Sequence, residues 1–254
     1  MYPWIECAGH PELLYVLFFG VALIYSSVGF GGGSSYLALL SLYGVPYLEM
    51  RAFALLCNIT VVAGNTVSFH LRNLLDWQRF LPFLIVGIPL SFLGGFWRVD
   101  KDVYYLILGT ALLFAALAMM WKPAANVHFK RKHPSLLFNS ALGGGMGFLS
   151  GVVGIGGGVF LSPVLHLMGW GTARKIAALS SVFILFNAIT GLLGQSFHPD
   201  FRIPLHPTIG LVTAVLTGSY LGRKLSFQYF SPLVIKRITG FIIGVVAFKI
   251  LWTL

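Results

Sequence analysis

A chain of 254 residues that is 57% hydrophobic and 9% charged, with mean hydropathy +0.85, cannot clothe a water-soluble body; soluble domains are near a quarter charged, so lipid is the solvent for most of this one. The net charge of +10 does not indicate nucleic acid, because the 17 Lys and Arg fall in short clusters between apolar runs and not along one face. Cys7 and Cys57 lie in unlike settings and exclude a disulfide framework and a metal site, and 7 acidic residues are too few for a dense carboxylate relay.

In chain order the apolar runs predict helices at 12–28, 34–43, 51–70, 79–97, 103–121, 136–153, 159–168, 173–194, 208–222 and 232–253. A full membrane crossing needs about 20 residues. Eight runs are near that length; 34–43 and 159–168 are about half of it and are expected to stop midway or hide against protein. The start of the chain has no basic segment ahead of its first apolar stretch, so no cleavable signal peptide is expected.

The longest hydrophilic connection, Lys122 to Pro134 with Lys130-Arg131-Lys132 inside it, divides the chain into near-equal halves that repeat. Ser26-Ser27-Val28-Gly29-Phe30-Gly31-Gly32-Gly33 returns 125 residues later as Gly151-Val152-Val153-Gly154-Ile155-Gly156-Gly157-Gly158. Each copy is followed by a short apolar run ending at Gly44 or Gly169. A basic-marked helix start follows, at Arg51 or Arg174-Lys175, and then a helix with small polar residues inside. The expected organisation is a first transmembrane repeat over 1–121, a basic cytoplasmic linker over 122–134 and a second repeat over 135–254. Internal duplication of this kind is a transporter signature.

Charge orients the chain. If each glycine segment is the tip of a helical hairpin that enters and leaves on one side, 12 basic residues, among them Arg72, Arg223 and the Lys-Arg-Lys cluster, collect on one face. Arg51, Arg98, Lys101 and Arg202 make 4 on the other. If each short run instead dips and returns after a full span, the split is 7 against 9. The positive-inside rule selects the first arrangement. It puts the N-terminus outside and the Lys122–Pro134 loop in the cytoplasm, and it inverts the second repeat relative to the first. The expected fold is therefore an all-α polytopic membrane protein of two inverted repeats. Each has a glycine-rich broken or half-helix hairpin and about three spanning helices.

Two features carry candidate chemistry. Glycine at membrane depth lets a helix break and a backbone approach a ligand closely. The first amides of the short helix that follows have no intrahelical partner, and the helix dipole favours an anion there. Gly31, Gly32 and Gly33, with Gly156, Gly157 and Gly158, are thus candidate substrate-binding residues, joined by Ser34 and Ser35 at the start of the first half-helix. The second feature is the set of polar residues within the third run of each half, from which Asn58, Ser180 and Ser181 are drawn. Aligning Arg51 with Arg174 sets Asn58 opposite Ser181. Arg51, Arg72, Arg98 and Lys101 are expected to snorkel to headgroups. His166 is read as a packed neutral imidazole and Cys57 as a small hydrophobe. No nucleophile set, metal-ligand run or phosphate-binding lysine can be assembled, and no strand precedes either glycine segment, which excludes a dinucleotide fold.

The duplicated glycine segment at Gly29–Gly33 and Gly154–Gly158, the short run after it and the basic central loop resemble the TauE/SafE family of sulfite and organosulfonate exporters, from about Leu13 to the C-terminus. Arg51-Ala52-Phe53-Ala54-Leu55-Leu56-Cys57-Asn58 departs from the Ala-x-x-Thr-Ser type segment of many members. The resemblance implies movement of sulfur oxyanions or small sulfonates across a bacterial inner membrane; composition and spacing do not themselves indicate sulfur.

The resulting expectation is a secondary transporter, not an enzyme. It has a small anion as substrate, the lipid bilayer and a coupling proton or other ion as partners, no cofactor and no nucleic acid. An anion channel and a non-transporting assembly subunit are the alternatives.

Overall fold

The computed structural model describes residues 11–120, 135–225 and 232–252, and these are helical apart from short connections. The Lys122–Pro134 segment and Cys7 lie outside the described residues. Among the described residues ten helices follow in order: α1 Pro11–Val28, α2 Gly33–Leu42, α3 Tyr47–Leu71, α4 Trp77–Phe96, α5 Lys101–Met120, α6 Leu136–Val153, α7 Gly158–Leu167, α8 Ala173–Ser196, α9 Leu205–Lys224 and α10 Pro232–Trp252. Their boundaries follow the apolar runs, because polar caps and turn residues punctuate the sequence. Asp76, Ser135 and Thr172 cap α4, α6 and α8, each accepting from an amide in the first turn.

Among the described residues, five helices, α3 to α6 and α8, are long and apolar enough to cross a membrane. Thr208, Thr213 and Thr217 lower the hydropathy of α9. Those hydroxyls return to carbonyls of their own helix: Thr213 Oγ1 donates to Ile209 O at 2.8 Å and Thr217 Oγ1 to Thr213 O at 2.9 Å. α9 thereby carries them without unpaired groups.

The helix pairs map onto one another when the halves are exchanged. α1 lies along α9 as α6 lies along α4; α3 crosses α8; α5 lies along α10; α2 packs on α3 as α7 packs on α8. Glycine seams bring the first two pairs to backbone contact. A Cβ on Gly147 would sit 2.3 Å from Gly87 O, and one on Gly222 would sit 2.3 Å from Leu23 O. Between lipid-solvated helices this close approach, and not a hydrophobic driving force, holds the pair. The buried core divides into a cluster around Tyr36, Phe53 and Tyr104 and another around Phe80, Phe83 and Phe183. The outward faces of α1, α4, α5 and α10 stay apolar, with Val16, Ile85, Leu106 and Phe248 exposed. That pattern is stable only against acyl chains. Arg98, between α4 and α5, pairs with Asp200, between α8 and α9, in an exposed ion pair that contributes less than about 1 kcal/mol.

Candidate functional site at the paired glycine loops

The two glycine loops touch one another. They lie against the middle turns of α3 and α8, where Asn58 and Ser181 stand. Both side chains are fully buried, and each reaches across to the loop of the other half. Asn58 Nδ2 donates to Ile155 O at 2.7 Å, and Ser181 Oγ donates to Gly29 O. The matched pair from the sequence thus forms a reciprocal clasp, with both donors used on loop carbonyls. Asn58 Oδ1, on the other side of the same amide, has no partner.

Both loops open on a left-handed glycine, Gly29 with φ 84° and Gly154, and differ beyond it. In the second, Gly154, Gly156 and Gly157 have φ of 85°, 87° and 78°, a region that only glycine enters cheaply. In the first, Gly33 is needed for proximity. A Cβ there would lie 2.3 Å from Ile155 O and 2.2 Å from Asn58 Nδ2. Gly31, Gly32, Gly156 and Gly158 are likewise buried. A Cβ on Gly31 would meet Asn58, and one on Gly158 would meet Ile184.

Each loop feeds a half-helix that starts without a side-chain cap, at Gly32 for α2 and Gly157 for α7. The opening amides of these helices therefore depend on something other than a capping side chain. Around them stand buried hydroxyls. Ser34 Oγ, in the first turn of α2, has no hydrogen-bond partner, nor has Ser180 Oγ on α8; the Ser180 carbonyl borders Gly158. Ser35 Oγ is paired with Tyr25 Oη at 2.9 Å. The sequence reading missed Ser150, near the end of α6. It is fully buried and its Oγ is unpartnered, and its Cβ lies 3.2 Å from where a Cβ on Gly157 would be. The only signal for it in the sequence is its place just ahead of Gly151, in the stretch that opens the second glycine segment.

Arg51 corrects an expectation. It does not snorkel to headgroups: it is 1% exposed. Its Nη2 donates to Gly151 O at 2.9 Å and, at 3.4 Å, to Gly94 O and Gly95 O. Its guanidinium carbon is 5.8 Å from the Tyr104 ring centroid. These carbonyls belong to the last turns of α4 and α6, so the cation rests on the negative ends of two helices. A glycine-rich surface leaves room for it there. Cys57 is buried in the core cluster, as a small hydrophobe would be, and His166 Nδ1 donates to Ser162 O at 2.8 Å.

What the arrangement offers chemically is the opening amides of two half-helices, the unpaired hydroxyls of Ser34, Ser150 and Ser180 and one unpaired acceptor, Asn58 Oδ1, with no His, Cys, Asp or Glu cluster among the described residues that could hold a metal. Buried hydroxyls without partners are rare and mark a place where an ion or water completes the hydrogen bonding.

Comparison with known proteins adds the following. The family model described as sulfite exporter TauE/SafE matches residues 14–250. A probable membrane transporter protein of Sinorhizobium fredii is 34% identical over 242 residues, covering 94% of this chain and 97% of that one. A protein with the same description from Methanocaldococcus jannaschii is 25% identical, covering 92% of each chain. One from Xylella fastidiosa is 27% identical over 87% of this chain and 88% of its own. No solved structure matches the chain.

Proposed function

The chain belongs to the sulfite exporter TauE/SafE family and is a multi-pass membrane transporter; from that premise we propose that its cargo is a small oxyanion, of sulfite or organosulfonate type, held between the two glycine loops. The observation that carries this reading is the convergence of Ser34, Ser150 and Ser180, buried hydroxyls without partners, on two half-helices that lack side-chain caps. An anion accepts from such donors and meets the positive ends of both helices without needing a buried lysine or arginine beside it. The amides of Gly31–Gly33 and Gly156–Gly158 are its backbone donors. Asn58 and Ser181 hold the loops at the right separation, and Ser35 braces Tyr25. The loops meet the middle of the 25-residue α3 and the 24-residue α8, which supports a midplane site between inverted repeats. Transport is secondary, coupled to an ion gradient or to the membrane potential; an interior-negative potential favours anion exit.

The test is sulfite binding to the purified protein, followed by saturable sulfite flux in vesicles. Ser34→Ala and Ser180→Ala each remove one hydrogen bond to a charged ligand, about 1.5–3 kcal/mol, so each is expected to weaken sulfite binding roughly tenfold or more while leaving the melting temperature near that of the parent. Parental affinity in both variants refutes the site.

The proposed orientation has its own check. In intact cells of a bacterial inner-membrane host, and in a Cys7→Ser background, an impermeant thiol reagent is expected to spare a cysteine at Asn126, in the basic loop, and to label one at Pro199, between α8 and α9. The reverse pattern turns the protein over.

A further inference from the structure

The two halves differ where their counterpart helices end. Ser91-Phe92-Leu93-Gly94-Gly95-Phe96 closes α4, and Ser219-Tyr220-Leu221-Gly222-Arg223-Lys224 closes α9. In α4 the glycines let the backbone settle on its neighbours. A Cβ on Gly95 would be 2.2 Å from Gly191 O, and one on Gly151 would be 2.1 Å from Ser91 O. There the helix ends are in backbone contact, and Arg51 is buried against them. In α9 the second glycine is replaced by Arg223, whose guanidinium lies against α3. A Cβ on Gly64 would be 2.3 Å from Arg223 Nη1. The helices stand apart there, and a cavity of about 30 Å³ opens between them, lined by Arg223, Arg72, Ser68, Asn65, Ser26 and the Gly29–Phe69 contact.

The chemistry of this cavity is cationic. Arg223 Nη1 is buried and makes no hydrogen bond, and the ion pairs among the described residues, Arg79 with Asp76 and Arg98 with Asp200, involve neither of its arginines. Ser26 and Asn65 are committed to the wall. Ser26 Oγ lies 3.0 Å from Asn65 Oδ1 and 2.9 Å from Ser219 O, and Asn65 Nδ2 donates to Phe30 O at 3.3 Å. Among the described residues no carboxylate lines the cavity. A guanidinium donor that is desolvated and unpaired needs an acceptor, and the planar fork of arginine suits an oxyanion. A cavity of about 10–15 Å³ takes one water, so this one has room for a few-atom ion. The inner wall is Phe69, whose ring tip is 2.4 Å from where a Cβ on Gly29 would lie; behind it is the first glycine loop.

We propose that Arg223 and Arg72 form a second oxyanion site, a vestibule beside Gly29 from which the ion is handed past Phe69 to the glycine loops. The vestibule rests on the anion-transport reading for its purpose but not for its binding chemistry, so the experiment reads the vestibule directly. In a Cys7→Ser background, Ser68→Cys places a reporter thiol on the wall, while Cys57 stays buried. Delipidated protein in detergent is labelled with an anionic sulfonate-bearing methanethiosulfonate and with its trimethylammonium counterpart. The anionic reagent is expected to react about tenfold faster, the scale of electrostatic focusing in a charged cleft, and sodium sulfate is expected to slow it more than sodium chloride at equal ionic strength.

Arg223→Gln should bring the two rates together and remove the sulfate protection; Arg223→Lys, which keeps the charge but not the fork, should keep the rate difference and weaken the protection. Arg72→Gln, at an exposed position, gives the same test where Arg223→Gln fails to fold. Ser180→Ala should leave Ser68→Cys protection intact, since it acts at the loops; its loss there would mean that sulfate protects from the central site, and the vestibule is overturned. Equal rates in the parent, or unchanged protection in both arginine variants, overturn it also. Protection seen only in nanodiscs containing phosphatidylglycerol would assign the arginines to a lipid phosphate and overturn it as well.

Discussion

Alanine at Gly33 is expected to abolish transport. The new methyl would lie 2.3 Å from the Ile155 carbonyl and 2.2 Å from Asn58 Nδ2, where the first loop bears on the second. The near neighbour on one side is backbone, which cannot rotate away, and on the other it is an amide already engaged at 2.7 Å. The loops must separate, the Asn58 bond to Ile155 must lengthen, and overpacking of this kind costs about 1–3 kcal/mol. The two half-helix starts of the proposed site would lose their preorganisation at a displacement of about 1 Å. Gly145→Ala is the control. That glycine is within α6, and a Cβ there meets nothing within 4 Å, so alanine should leave transport unchanged and stabilise by up to about 1 kcal/mol through helix propensity. The measurement is sulfite flux in vesicles beside melting temperature in detergent. Parental flux in Gly33→Ala shows that the loops need not touch, and the central site then has to be sought elsewhere.

The second large effect is expected at Arg51. A guanidinium taken wholly out of water carries a desolvation cost of several kcal/mol, and no carboxylate is paired with it among the described residues. What offsets the cost is the Gly151 carbonyl at 2.9 Å, the Gly94 and Gly95 carbonyls at 3.4 Å, the Tyr104 ring and the dipoles of α4 and α6. Arg51→Ala removes these contacts and leaves a cavity the size of a large side chain, at about 3–5 kcal/mol. Arg51→Met keeps most of the volume and relieves the desolvation, so only the charged hydrogen bonds are lost, about 1.5–3 kcal/mol. Arg51→Lys should fall between them, because a point ammonium cannot bridge two helix ends as a planar fork does. The check is the order of melting temperatures in detergent, parent above Met, Met above Lys, and Lys above Ala. A set that melts together shows that Arg51 does not staple these helices.

Family membership, the membrane as solvent, the helix boundaries and the duplication were all legible in the sequence. Each rests on local information: hydropathy over about 20 residues sets a span, caps such as Ser135 and Thr172 set its start, and a repeated glycine run is visible without coordinates. Tertiary structure decided the rest. Arg51 reads as a headgroup anchor because it stands near a helix start after a polar turn. It is buried because the ends of α4 and α6, 43 and 100 residues away, close over it. Asn58 and Ser181 read as ligand donors, yet each donates to a carbonyl of the opposite loop, 97 and 152 residues distant. Ser150 is indistinguishable from any small residue of a packing seam until α6 is folded back beside Gly157. Periodicity along one chain reports which face of a helix is apolar, but a buried hydrogen bond between halves depends on which carbonyl the crossing of α3 and α8 brings within 3 Å, and only the packed repeats determine that.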